Sequence, residues 1–330
     1  MGFVQRIVLI SALTCGAMWA QSNGAVTGTV QDSTGAVVPG VEIQVANQLT
    51  GLQFPASSDE AGRFLVQRLP VGEYKLTARR EGFQQFITEQ FRLDADQTRT
   101  ITVTLAVGNT TEAVTVTGAV AQVDTVSGTI RQVVDERRIT ELPLNGRNPV
   151  QLVLLVPGAV QSNNNSLSAN NGIAVNGARG TSTNYMLDGG DNNDPQEGGS
   201  AVTPNPDALE EFSVLTNNFS AEYGRNAGAI VNAVTKSGTN NFHGSLFEFV
   251  RNDALDARNF FALSKGKLRR NQYGGSFGGP AIKNKAFFFG SYEGVKQRQG
   301  ETFSSLVVPT ALERRGDFTA TTQKPRDPNN

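Results

Sequence analysis

VNGARGTSTNYMLDGGDNNDP (Val175–Pro195), followed after a spacer by DALEEFSVLTNNFSAEYGRNAGAIVNAVTKSG (Asp207–Gly238), is the stretch whose reading decides the fold. Short β-prone pieces, GIAVNGA, NYMLDG, EEFSVLT and AIVNAVT, alternate with Gly and Asn turns. That alternation predicts a small mixed domain of strands and tight turns with little long helix. Order matters more than composition here: an R-G step, a strand ending in L-D-G, an acidic passage, Y-G, a small-residue strand and T-K-S-G follow one another.

In that order, Arg179, Gly180, Leu187, Asp188, Gly189, Glu211, Tyr223, Gly224, Gly228, Val231, Thr235 and Lys236 resemble the landmarks of the plug domain of TonB-dependent outer-membrane receptors. The likeness extends over some sixty residues, and no tripeptide within it would persuade alone. It implies a plug over residues 120–238. Upstream, DERRITELPLNGRNPVQLVLLVPGAV starts with acidic helical character and holds stops at Pro143 and Pro157. NPVQLVLLVPG is expected to form a short amphipathic helix with Leu152, Leu155 and Val156 inward. ELPLNGRN resembles the Oar-like branch of these receptors. The loop QSNNNSLSANNG is too polar to bury, and the resemblance places it facing water inside a barrel.

Residues 24–107 have a different texture. Thr98, Thr100, Thr102 and Thr104 alternate with Ile101, Val103 and Leu105, and roughly seven such strands predict a small β-sandwich. Gly28, Val30, Asp32, Pro39, Gly40, Val41, Asp59, Gly62, Phe64, Leu69, Pro70, Gly72, Tyr74, Gly82 and Phe83 resemble the carboxypeptidase-regulatory-like, transthyretin-like domain. Phe64, Tyr74 and Phe83 are its expected core anchors. Databases group this fold with carbohydrate-binding-like sandwiches, but fold confers no ligand, and a spacer or docking module is the plainer reading.

Between sandwich and plug, residues 108–119 form a linker containing Glu112, Ala113, Val114, Thr115, Val116 and Thr117. The resemblance places a TonB box there, a segment that pairs by strand addition with the energising inner-membrane complex. The alternative is an eighth sandwich strand or plain linker. After residue 239, FHGSLFEFVRN, RNQYGGSFGGPA and KAFFFGSYEGVKQ each offer about ten alternating residues, the length of a transmembrane barrel strand. Tyr273, Gly275 and Phe277 share one face and Gln272, Gly274 and Ser276 the other, whereas Phe287 and Phe289 opposite Phe288 and Tyr292 blur the alternation. A barrel needs at least about 8 strands, and plugged transporters about 22. Residues 239–330 are therefore expected to be the first antiparallel strands of an incomplete wall, in a piece of a larger receptor. The fold class expected is mainly β: transthyretin-like sandwich, mixed α+β plug and partial barrel.

Arg6, the apolar run IVLISALTCGAMWA and polar Gln21 describe a secretory leader over residues 1–20, too short to span a bilayer comfortably. Cys15, the single cysteine, lies inside that leader, and its flanks fit a lipobox poorly. Disulfides and thiolate catalysis are thus not expected of the mature chain. With 29 basic against 30 acidic residues, no basic field suggests nucleic acid.

No catalytic constellation emerges. GGSFG (Gly274–Gly278) spells a nucleophile elbow, but His243, the single histidine, precedes Ser276 and no helix is expected to follow. Asp188, Asp191 and Asp194 lack EF-hand grammar and suit a solvated turn. Glu210 and Glu211 would point to opposite sides of a strand. His243 alone makes no zinc site. No cofactor or metal is expected. The expected function is an outer-membrane receptor for energised uptake of an unidentified solute, with outer-membrane lipid and the TonB-type complex as partners and the sandwich facing the periplasm. The alternative is a secreted or periplasmic β-sandwich binding module.

Overall fold

The computed structural model describes residues 23–108, 113–116, 128–161, 172–196, 198–220, 223–224, 227–258, 260, 265–300 and 309–320. The leader, Glu112, Thr117 and nearly all of the Asn-rich loop lie outside them. Mainly β structure is observed, and two compact units divide the chain: residues 1–246 with 275–292, and residues 247–274 with 293–330.

Nine strands form the sandwich: β1 (Asn23–Asp32), β2 (Glu42–Asn47), β3 (Gln53–Ser57), β4 (Arg63–Pro70), β5 (Gly72–Arg79), β6 (Gln85–Thr88), β7 (Phe91–Leu93), β8 (Thr98–Leu105) and β9 (Ala113–Val116). One sheet runs β4-β1-β8 and the other β3-β2-β5-β6-β9, with β7 pairing the remaining length of β5. Period-two patterning drives this: Ile101, Val103 and Leu105 are buried while Thr100, Thr102 and Thr104 are exposed. Phe64 and Tyr74 are buried anchors, and Phe83 packs partly buried against them. Tyr74 satisfies its hydroxyl on the Pro70 carbonyl at 2.7 Å, and burial pushes its pKa up to about 12. Gly28 has a steric reason: a Cβ there would lie 1.8 Å from the Ile101 carbonyl oxygen, across the parallel β1–β8 ladder.

In the plug are β10 (Ile130–Asp135), helix α1 (Glu136–Glu141), β11 (Ala159–Gln161), β12 (Ile173–Val175), β13 (Asn184–Leu187), β14 (Gly190–Asp191), β15 (Leu209–Asn217) and β16 (Ile230–Thr235). The main sheet runs β10-β15-β16-β13-β14, and β11 pairs β12 separately. Asp135 caps α1 by accepting from the Arg138 amide at 2.9 Å, as its acidic start predicts. The NPVQLVLLVPG expectation needs correction. Pro149–Leu155 is a 3-10 helix that buries Pro149, Leu152 and Val153, and Val156 follows inward, but Leu155 is 52% exposed. Pro149, Leu152, Val153 and Val156 follow i, i+3, i+4, i+7 spacing, which leaves Leu155 on the outer side. Val134, Ile139, Leu152, Tyr185, Phe212 and Val231 belong to the plug core.

The last sheet is β17 (His243–Asn252), β18 (Leu268–Ile282) and β19 (Ala286–Gln299) in that order, with a hairpin turn between β18 and β19 closed by the Lys285 amide on the Ile282 carbonyl. At 15 and 14 residues, β18 and β19 exceed the ten expected of each. In the first unit, Ser245 and Ser276 hydrogen-bond at 3.0 Å on one face, while Phe242, Phe277 and Phe288 cluster at 5.7–6.5 Å on the other. Gln272 and Ser276 are buried and Tyr273 and Phe277 exposed, as alternation predicts. No closed barrel forms among the described residues.

Candidate functional site

The residues singled out in the plug gather around β13, β15 and β16. Arg179 precedes a 3-10 turn, Gly180–Ser182, whose first residue is buried. Gly228 donates to the Ser182 carbonyl at 3.0 Å, and a Cβ on it would sit 2.7 Å from that oxygen, so only glycine lets these backbones meet. Leu187 ends β13 and passes the chain into Asp188, held in the left-handed region at φ 52° ahead of Gly189. Asp188 accepts from the Thr235 amide at 2.7 Å and from its hydroxyl at 2.8 Å. One carboxylate therefore ties the L-D-G turn to the T-K-S-G exit. Lys236 pairs with Glu136 at 2.6 Å, fastening that exit to α1. Arg147 of ELPLNGRN pairs with Asp207, both largely buried. Gly224 takes φ 81° beside Tyr223, whose carbonyl accepts from Asn184 at 3.3 Å.

Asp191 and Asp194 are used in local turns, accepting from the Asn193 and Gln196 amides at 3.0 and 2.8 Å. Among the described residues no group of three or more His, Cys, Asp or Glu is placed to hold a metal.

The centre of this region is a polar junction that the sequence reading missed. The sandwich turn between β7 and β8, Asp94 to Gln97, inserts against the plug sheet. Ala95, fully buried, donates its amide to Glu211 at 2.8 Å, and Arg131 on β10 donates to the Ala95 carbonyl. Asp96 accepts from Asn232 on β16 at 2.8 Å. Arg92 on β7 reaches Asp94 at 3.1 Å, Glu210 at 3.5 Å and Glu211 at 3.8 Å. The last two contacts overturn the expectation that Glu210 and Glu211 point to opposite sides. A register shift in the β15–β16 ladder between Leu209 and Glu211 breaks the alternation there, and both carboxylates meet one guanidinium nitrogen.

Burial sets the electrostatics. Glu211 is fully buried, its second oxygen receives no hydrogen bond, and its pKa rises to about 7 through burial and the charge of Asp94. Burial likewise raises Glu210 and Asp96. At Arg92 burial opposes the charge, but Glu210, Asp94 and Glu211 overcome it and raise the pKa. The only pre-existing signal was polar density in the β7–β8 turn, LDADQT, which pattern reading assigns to solvent. A cleft of about 680 Å³ adjoins the junction, with Asn47, Pro70, Glu136, Asp207, Lys236 and His243 among its walls. Its charged walls Arg92, Glu136, Asp207, Glu210 and Lys236 are all paired within the chain.

The candidate TonB-box strand lies on the sandwich. Ala113–Val116 pairs in parallel with β6, Gln85 opposite Ala113 through Thr88 opposite Val116. It ends the sheet order, so its outer edge has no strand partner among the described residues.

Three family models match in succession: carboxypeptidase regulatory-like domain over residues 25–106, TonB-dependent receptor plug domain over 123–231, and outer membrane beta barrel domain over 234–330. The chain is 27% identical over 304 residues to the TonB-dependent transporter Oar of Myxococcus xanthus, covering 87% of this chain and 28% of that protein. It thus spans less than a third of the length of this curated relative. Among solved structures, the siderophore receptor PirA of Acinetobacter baumannii is 24% identical with a TM-score of 0.39, over 49% of this chain and 24% of that one. A catechol 1,2-dioxygenase of Acinetobacter radioresistens is 14% identical with a TM-score of 0.23, over 27% and 53%. At those scores neither structure carries an argument. The second and third of the matched models describe a receptor plug and an outer-membrane barrel.

Proposed function

We propose that this chain, carrying regulatory-like, plug and outer-membrane barrel domains in that order, acts in a TonB-dependent outer-membrane receptor for energised uptake of a large or scarce solute. The observation that supports the reading best is the plug sheet. In it Asp188 ties the L-D-G turn to Thr235 with two hydrogen bonds, and the sheet is followed by strands with an exposed aromatic face. In this reading the plug occludes the pore and the sandwich faces the periplasm. Strand β9, flanked by Glu112 and Thr117, offers main-chain donors and acceptors along its open edge to a strand of the energising inner-membrane partner. Force applied at β9 would be passed to the plug through the sandwich, whose β7–β8 turn is held by Glu211, Arg131 and Asn232.

The test is deletion of Glu112–Thr117 in the full receptor. Uptake is expected to be abolished while outer-membrane insertion, scored by detergent-only extraction and heat-modifiable migration, is retained. Undiminished uptake would overturn the assignment.

A further inference from the structure

The second compact unit holds a cleft of about 390 Å³ whose walls include Asn252, Arg269, Asn271, Lys296 and Arg298. Its composition follows from strand alternation. A Cβ on Gly294 would lie 2.9 Å from the Tyr273 ring, so these two residues share one face of β18 and β19. Gln272 donates to Glu293 at 2.5 Å across the opposite face. Stepping by two from Tyr273 and Gly294 brings Asn271 and Arg269 on β18, and Lys296 and Arg298 on β19, to the tyrosine's side. Over four residues, roughly 13 Å of strand, this face passes from an exposed aromatic through an amide to three cations.

Arg251 at the cleft's edge is paired with Asp256 at 3.2 Å. Arg269, Lys296 and Arg298 make no ion pair among the described residues, and all are exposed. Three like charges brought together on neighbouring strands repel one another unless an anion sits between them. A tyrosine bordering an apolar band marks the level of a membrane interface, and the next residues outward meet the headgroup layer. Arginine guanidiniums match phosphate oxygens in a two-pronged fashion, and the asparagine amides add donors.

We infer that Arg269, Lys296 and Arg298, with Asn271, form a binding site for the phosphate-bearing headgroup of an outer-membrane lipid. The inference rests on the outer-membrane reading above, because it takes the Tyr273 face to be the lipid-facing one. The site fastens the wall of the receptor to its leaflet and is separate from solute uptake.

The test uses the full receptor extracted from outer membranes in detergent. It is titrated with diphosphoryl lipid A, with the same lipid after dephosphorylation, and with inorganic pyrophosphate. Diphosphoryl lipid A is expected to bind about a hundredfold more tightly than the dephosphorylated lipid, three cations each contributing a headgroup attraction. The triple variant R269Q/K296Q/R298Q is expected to lose that preference, and R269K/R298K to keep it, both still requiring detergent for extraction. Equal binding of the two lipids by the parent receptor, or an undiminished preference in the triple variant, overturns the site. Pyrophosphate competing as well as the lipid overturns the lipid assignment in favour of a soluble anion. Recovery of the parent receptor in salt without detergent overturns the outer-membrane reading itself, and extraction is scored apart from lipid preference.

Discussion

Glu211 is where one side chain decides most. Fully buried, it faces Asp94, Arg92 and Arg131 and accepts one good hydrogen bond, from the Ala95 amide. The contact to Arg92 at 3.8 Å is too long to be a hydrogen bond and does not offset burial, so the neutral acid is favoured. Its folded pKa of about 7 lies above the ordinary 4.5. The folded state therefore holds the proton more tightly than the unfolded chain, and stability falls as pH rises from about 4.5 to about 7. The neutral isostere Glu211→Gln should remove that slope and gain on the order of 2–3 kcal/mol over the parent at pH 8, with little gain at pH 4.5. Denaturant unfolding of the chain at both pH values checks this, and an unchanged slope would refute it. Gly28 decides by shape instead. Gly28→Ala drives a methyl into the Ile101 carbonyl, which only separation of β1 from β8 can relieve. The expected loss is about 3 kcal/mol or more. A thermal midpoint within a degree or two of the parent would contradict this account.

Among the elements, β9 and β5 set the extremes. Strand β5 is flanked by β2 on one side and β6 and β7 on the other, and it carries buried Tyr74, Leu76 and Ala78. By contrast β9 is four residues long and ends its sheet. Edge strands with few interactions open locally at low cost. Amide hydrogens of Ala113–Val116 should exchange at least about a hundredfold faster than those of Glu73–Ala78, as an element offered to a partner must. Comparable protection of the two would count against its role as the pairing strand. Across the plug sheet, Phe212 on β15 is a large, fully buried side chain packed in the plug core. Phe212→Ala should cost about 3–5 kcal/mol and displace β15, and with it Glu210 and Glu211. Element type was legible wherever period two or a cap governs: β8 through its threonine alternation and α1 through Asp135. The bulge beside Glu210 was not legible, because an extra residue in a ladder exists only relative to the partner strand.

At the scale of the whole molecule, the sandwich and plug are joined through polar contacts made by residues far apart in sequence. Asp96 with Asn232 and Ala95 with Glu211 are separated by more than a hundred positions. If this junction couples the two domains, the intact chain should lose them in one calorimetric transition. Arg131→Ala, which removes the donor to the Ala95 carbonyl and a neighbour of Asp94, should split that transition in two. Two transitions in the parent would show the domains to be independent, and a single unchanged transition in the variant would show that Arg131 does not carry the coupling.

The amino-acid sequence by itself determined the order of three β-rich domains and the faces of most strands. It also determined where the plug turns must lie, since glycine at positive φ, strand alternation and helix caps are local physical requirements. It could not decide that Asp188 would clamp Thr235, that Glu210 and Glu211 would turn to one arginine, or that a sandwich turn would bury Ala95 against the plug. Those outcomes depend on which surfaces meet. Desolvation, which raises Glu211 and orders the junction, exists only once distant segments have excluded water together.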